Sequence, residues 1–232
     1  MVLPRSASAS PTVHEAQTLV GGAPFAPATL ARALRHAPRL VAADGGADAL
    51  HAAGLLPELV VGDLDSISSA ARAAFADRVL HVAEQDSTDF EKALRASLAR
   101  LTIAVGFLGA RIDHALACLS ALARDGCACV LLSEADCALV SPPDLALDLA
   151  PGTRVSLWPM GPARGRSTGL RWPIDGIAFA PDGRLGTSNA ATGPVRARLE
   201  GGPVVVILPA EALPAAIGAL AAAPRGGGPA PL

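Results

Sequence analysis

Asp63 and Asp65 stand two residues apart in the run Val60-Val61-Gly62-Asp63-Leu64-Asp65-Ser66. In extended backbone, residues at that spacing point the same way. The two carboxylates can then share one Mg2+, and Ser66 can cap a following helix. Three other short apolar runs also end in acids or glycine turns. Leu40-Val41-Ala42-Ala43 leads into Asp44-Gly45-Gly46-Ala47-Asp48, and Val79-Leu80-His81-Val82 leads to Asp86-Ser87-Thr88-Asp89. Ile103-Ala104-Val105-Gly106 leads to Gly109-Ala110-Arg111-Ile112-Asp113-His114. Taken singly, each ending has an ordinary explanation: Asp and Ser are common in turns, Asp44 can cap a helix, and a helix dipole stabilises Asp86 and Asp89. Gly45 and Gly46 permit positive φ and close approach to a ligand. Amides of residues 106–109 at a helix start bind phosphate, with Arg111 supplying charge. Carboxylates brought to one edge repel unless a cation lies between them, so the four endings together predict a divalent-metal and phosphate site.

The endings share an edge only if the runs are strands of one parallel sheet, where ligands bind beyond the carboxyl ends. Strands are predicted at 18–20, 40–43, 59–61, 79–82, 102–105, 128–132 and 138–140, with alanine-rich helical stretches such as 26–37 and 66–76 between them. This alternation implies a doubly wound, mostly parallel α/β domain over residues 17–141. Thr88 and Glu91 form a capping-box signature for a helix starting at Asp89, continued by Phe90, Ala93, Leu94 and Leu98. Pro142-Pro143 marks a boundary. Beyond it, short apolar segments at 145–149, 155–158, 177–179 and 204–208, separated by turn residues, predict a smaller antiparallel β domain over 144–209, a sandwich or small barrel. Residues 1–16 read as a disordered tail and 210–232 as a partly disordered extension.

Composition narrows the function. With 51% hydrophobic and 17% charged residues the chain can build a core, and a net charge of -2 gives no field for nucleic acid. Lys92 is the only lysine beside 18 arginines. No glycine-rich loop ends in Lys-Ser or Lys-Thr, which excludes a P-loop and leaves phosphate chemistry to arginine, amides and metal. Cys118, Cys127, Cys129 and Cys137 lack zinc-ligand spacing and read as free thiols of a reducing cytoplasm. No signal-peptide pattern and no apolar run of membrane-spanning length occurs in the chain, so a cytoplasmic protein without membrane partners is expected.

Taken together, Ala43-Asp44-Gly45-Gly46-Ala47, Gly62-Asp63-Leu64-Asp65-Ser66-Ile67, Asp86-Ser87-Thr88-Asp89-Phe90-Glu91-Lys92-Ala93-Leu94 and Gly109-Ala110-Arg111-Ile112-Asp113-His114 resemble the motifs of the thiamine pyrophosphokinase family. Ser167-Thr168-Gly169-Leu170-Arg171-Trp172 and Thr187-Ser188-Asn189 resemble that family's thiamine-side motifs. The resemblance covers roughly residues 18–208 and implies pyrophosphoryl transfer from ATP to thiamine, giving thiamine diphosphate and AMP. It implies Mg2+ on Asp63, Asp65 and Asp86, with Asp44 as a fourth catalytic acid. ATP would contact Asp44, Gly45, Thr88, Asp89, Gly109, Arg111 and Asp113, and thiamine would contact Trp172, Ser188 and Asn189. It further implies a homodimer with each site between the α/β domain of one subunit and the β domain of the other. Trp158, alternating with Val155 and Leu157, reads as packing. Two departures from the family pattern stand out, Ala110 in place of a glycine and Asp48 in place of an asparagine. Three rivals carry less weight. A pterin pyrophosphokinase would use another acceptor, a haloacid-dehalogenase-type phosphatase would use Asp63 as nucleophile with Lys92 as its lysine, and a non-catalytic nucleotide sensor would not need intact acids.

Overall fold

Each apolar run of the first half forms a strand, and each alanine-rich stretch forms a helix that covers it. The computed structural model describes residues 14–223; the expected tail residues 1–13 and 224–232 lie outside the described residues. The first half runs β1 (His14–Val20), α1 (Pro27–Leu34), β2 (Arg39–Ala43), α2 (Gly46–Ala52), β3 (Leu59–Gly62), α3 (Ser69–Ala74), β4 (Val79–His81), α4 (Asp89–Ser97), β5 (Ala99–Val105), α5 (Ile112–Asp125) and β6 (Cys129–Leu132). The second half runs β7 (Asp136–Val140), β8 (Asp144–Leu147), β9 (Arg154–Pro159), β10 (Ala163–Leu170), β11 (Ala178–Phe179), β12 (Gly186–Gly201), β13 (Val204–Pro209) and α6 (Leu213–Ala222).

Strands β4-β3-β2-β1-β5-β6 lie side by side and parallel. Consecutive residues along them face opposite layers, as the two-residue period of a strand requires. Leu19, Val41, Val61, Ala104 and Leu131 pack with Phe90, Ala93 and Leu94 of α4 and Cys118, Ala121 and Leu122 of α5. Val20, Ala42 and Val60 pack instead with Leu30 of α1, Ala47 and Leu50 of α2, and Ala71. Burial on both faces is why these strands read as continuous apolar runs. The order reverses beside β1, which has β2 on one side and β5 on the other, so ligand-binding loops are expected beyond those strand ends.

The fold is α/β with a mixed sheet. The expected boundary at Pro142-Pro143 divides the chain order but not the sheet. β7 pairs antiparallel with β6, and β13, β9 and β12 continue the same sheet. β12 is 16 residues long and belongs to two layers: Gly186–Ala190 pairs with β9, whereas residues 195–201 pair with β8 and β10. Leu145, Leu147, Val195, Ala197 and Leu199 share a core with Val155, Leu157, Val206 and Leu208. The same core includes Ile103, Val105 and Val130 of the parallel half. Two expected boundaries shift. β1 begins at His14 inside the stretch read as a tail, and α6 buries Leu213, Ala216 and Ala219 where an extension was expected.

The four cysteines are free thiols, and burial pushes those of Cys118, Cys127 and Cys137 up to about 12. Among the described residues, no helix is long and apolar enough to cross a membrane.

Gly46 fixes how α2 docks on the sheet. A Cβ there would lie 2.0 Å from the carbonyl oxygen of Val20, a backbone atom that cannot rotate away. Gly46→Ala should therefore force α2 off β1 and destabilise the protein by about 2 kcal/mol, lowering Tm by roughly 4–8 °C. A thermal melt indistinguishable from the wild type would refute this docking.

Candidate active site

The strand ends align closely. Val20 pairs with Ala42 and Val105, Ala43 with Val61, and Gly62 with His81, so the residues that follow emerge along one edge. Asp44 donates its backbone N–H to Val61 O at 2.8 Å, extending the ladder one step past β2. Its φ is +39°, and this left-handed step turns the side chain in toward β3. A Cβ on Gly62 would come within 2.8 Å of Asp44 Cβ and 3.2 Å of Asp89 Oδ1, so only glycine admits both acids beside the end of β3.

Ligand oxygens of Asp44, Asp63 and Asp65 lie within 4.8 Å of one another. The convergence of Asp63 and Asp65 has a different cause from the one the spacing suggested. Leu64, between them, is buried with φ +68°, so the segment is a tight turn and not extended strand. Asp65 N–H donates to Asp63 Oδ1 at 3.4 Å within that turn. Ser66 is not the helix cap either. Its backbone N–H donates to Asp44 Oδ2 at 3.0 Å and its hydroxyl to Asp65 Oδ1 at 2.9 Å, while Ser68 caps α3 by accepting from Ala71 N. Asp48 accepts the Ser68 N–H at 3.0 Å and so ties α2 to the turn.

Asp44 is 3% exposed, and its Oδ1 has no hydrogen-bond partner. Burial raises its affinity for a proton above that of an ordinary aspartate. The Ser66 N–H opposes this, and repulsion from Asp89 and Asp65 adds to it. Asp63 is held below its ordinary value, chiefly by the Gln85 side-chain amide, which donates to Oδ2 at 3.0 Å, with Lys92 contributing. Lys92, buried at 2% exposure, reaches Asp89 Oδ1 at 3.2 Å and Asp63 Oδ2 at 3.5 Å. An unpartnered buried carboxylate oxygen against two further carboxylates is a donor set for a hard divalent cation.

Other predicted residues take different places. Asp86 is exposed and lies outside the Asp44, Asp63 and Asp65 group, because Glu84 folds the loop by accepting the N–H groups of Asp86 at 2.7 Å and Ser87 at 3.0 Å. Thr88 completes the capping box with Glu91, so its hydroxyl is engaged within the helix start. Gly45 is in ordinary helical conformation, and the positive φ falls on Asp44 instead of either glycine. Gly109 has φ +102° and open space around it, whereas Ala110 needs no left-handed conformation, so its Cβ is accommodated. Arg111, 64% exposed, is held by Asp113 at 2.5 Å, and this pairing pulls the Asp113 carboxyl down to about 2.

On the antiparallel half, Trp172 is 55% exposed with Arg171 Cζ 5.1 Å from its ring centroid. Asn189 is buried. It accepts the Trp172 N–H at 3.1 Å and donates to Trp172 O at 2.7 Å, so its amide fixes the tryptophan backbone. Ser188 is exposed with φ +61°. Two cavities, of about 650 and 470 Å3, lie on the outer face of β10 and β12 around Arg164, Arg166 and Arg198. No acid of the strand-end group lines either of them.

Residues 30–131 match the family model for the catalytic domain of thiamin pyrophosphokinase. This segment is similar to that family's catalytic domain. It carries Asp44, Asp63, Asp65, Asp89 and Arg111, whereas Trp172, Ser188 and Asn189 lie outside it. A rice protein (Oryza sativa subsp. japonica), thiamine pyrophosphokinase 1, is 27% identical over 154 residues, 57% of this chain. The match spans 58% of the rice protein's length. Solved thiamin pyrophosphokinases share the fold. That of Candida albicans superposes with TM-score 0.72 at 14% identity, covering 89% of this chain and 97% of that one. That of Geobacillus thermodenitrificans gives 0.72 at 23% identity, covering 84% and 97%.

Sequence reading missed the part Gln85 plays, and it gave Lys92 a site role only in the rival phosphatase reading. The rarity of lysine was the available signal for Lys92; Gln85 left none. Asp44→Asn removes a buried charge and its repulsion, so it should raise the Tm of the metal-free protein at neutral pH. Because the folded-state pKa of Asp44 is raised, its ionic penalty exists only above that pKa, and the gain should shrink as the pH falls through it. Mg2+ should stabilise the wild type more than the variant. Differential scanning fluorimetry across pH, with and without Mg2+, reads both effects; equal Mg2+ shifts in the two proteins would contradict this role for Asp44.

Proposed function

We propose that this chain transfers a pyrophosphoryl group from ATP to the hydroxyl of thiamine, yielding thiamine diphosphate and AMP. The observation that carries the proposal is the strand-end group of Asp44, Asp63 and Asp65, with its orphaned Asp44 oxygen, inside a segment similar to this family's catalytic domain. In the reaction the hydroxyl oxygen bonds to the β-phosphorus, the bond from that phosphorus to the α–β bridging oxygen breaks, and AMP leaves with the electron pair. The hydroxyl proton passes to a carboxylate of the acidic edge.

A Mg2+ fits Asp44, Asp63 and Asp65, and when bound it would neutralise oxygen charge on the transferring phosphates. The exposed Asp86 would reach this site only through ATP or a second ion. Arg111, braced by Asp113 at the start of α5, offers a planar guanidinium to phosphate beside the amides of the preceding glycine loop. Trp172 would stack on the flat, cationic thiamine, its other face backed by Arg171, and Ser188 would hydrogen-bond the ring. Asn189 would act by holding Trp172. In a homodimer these residues would come from the partner subunit, a reading supported by the exposure of Trp172 in an aromatic-poor chain.

Incubation with ATP, Mg2+ and thiamine should produce thiamine diphosphate and AMP in equal amounts; ADP or free phosphate as the nucleotide-derived product would refute the proposal. Asp63→Asn and Asp65→Asn are nearly isosteric and should each lower kcat by about a hundredfold or more. Retention of a tenth of the wild-type rate would remove that residue from the metal site. Trp172→Ala should raise the thiamine KM about tenfold, a loss of roughly 1.4 kcal/mol, with the ATP KM unchanged. A change in the ATP KM alone would place thiamine elsewhere.

A further inference from the structure

Among the described residues Lys92 is the one cation paired with the acidic group, and its setting is unusual in three ways. It is among the largest fully buried side chains of the molecule, at 2% exposure. Its ammonium meets two carboxylates, Asp89 Oδ1 at 3.2 Å and Asp63 Oδ2 at 3.5 Å. It is also the only lysine in a chain with 18 arginines. A chain that otherwise uses arginine carries a lysine where a slim apolar stem threads a closed space. A planar guanidinium is bulkier and fixes its donors in a rigid fork.

We propose that Lys92 is a positioning residue for the pyrophosphoryl-transfer site, holding Asp63 with one oxygen presented to the cation and tempering the charge of the acidic edge. The geometry divides the labour of the two Asp63 oxygens. Oδ2 accepts from Gln85 at 3.0 Å and from Lys92, whereas Oδ1 accepts only the 3.4 Å contact from Asp65 N–H. Oδ1 is therefore the oxygen left for a metal, and the carboxylate cannot turn to chelate through both. The same ammonium anchors Asp89 at the first turn of α4, three residues ahead of it. Without that charge, Asp44, Asp63, Asp65 and Asp89 would face one another uncompensated. The edge would then attract a divalent cation more strongly but grip it in the wrong geometry.

The inference rests on the cation and ATP reading above, and the test separates the two. Mn2+ is titrated into the nucleotide-free protein and followed by electron paramagnetic resonance, and kcat is measured separately, for the wild type, Lys92→Met and Lys92→Arg. Wild type that binds no Mn2+ would sink the metal site itself. With the site intact, Lys92→Met should bind Mn2+ about fivefold tighter or more, because a nearby positive charge is gone, while kcat falls about thirtyfold or more. Lys92→Arg keeps the charge and should hold Mn2+ affinity within about twofold of wild type, yet lose turnover comparably because the fork tilts the Asp63 carboxylate while leaving it on the cation. Weaker Mn2+ binding by Lys92→Met, or unchanged Mn2+ affinity with full turnover, would reduce Lys92 to a packing residue and overturn the proposal. If Lys92→Met fails to fold, full activity in Lys92→Arg overturns it, and lost turnover with retained Mn2+ binding upholds it.

Discussion

Like-charge repulsion at the end of a parallel sheet is the constraint around which this molecule is arranged. Asp44, Asp63, Asp65 and Asp89 leave neighbouring strands and a helix start at the same level, and one buried ammonium stands among them. In a medium of low effective dielectric such a group is costly, and one Asp44 oxygen is left with no partner at all. The opposite end of the sheet is satisfied internally. There Gln17 donates to Ser97 at 2.6 Å and Thr102 at 3.0 Å, while Arg39 bonds Gln17 and the Ser97 carbonyl. A chain that completes its hydrogen bonds at one end and leaves an acid open at the other offers a cation a place at the open end.

The backbone details follow from this constraint. Left-handed residues are scarce, yet Asp44 and Leu64 both adopt that conformation within the acidic edge, where each re-aims a carboxylate. Gly62 leaves out the side chain that would separate Asp44 from Asp89, and Gly46 lets α2 sit against β1 so that the acidic turn has a floor. Asp48 and Ser68 fasten that turn from the other side. The antiparallel half contributes through rigidity. Asn189 fixes the backbone of Trp172, and the long β12 strand ties that region into the sheet that carries the acids.

Much of this was legible in the residues. Continuous apolar runs marked the buried parallel strands, and the Thr88–Glu91 capping box placed the start of α4 where the structure has it. β10 and β12 escaped notice because their outward positions include Arg164, Arg166, Arg196 and Arg198, and small residues such as Ala163 and Ala197 break up the inward Leu170, Val195 and Leu199. Alternation of two-residue period was present there, but no run of large apolar residues announced it. The pairing of Asp63 with Asp65 was anticipated for the wrong reason, since a left-handed Leu64 is a tertiary outcome that spacing does not encode. The exclusion of Asp86 from the group likewise depends on Glu84 folding its own loop.

The central claim is that this open acidic edge is a divalent-cation site, and locating the ion tests it most directly. Crystals grown with Mn2+ and a non-hydrolysable ATP analogue should show an anomalous scattering peak about 2.1 Å from oxygens of Asp44, Asp63 and Asp65, with Lys92 still on the far oxygen of Asp63. A fully occupied Mn2+ elsewhere, with Asp44 Oδ1 still unpartnered, would contradict the account.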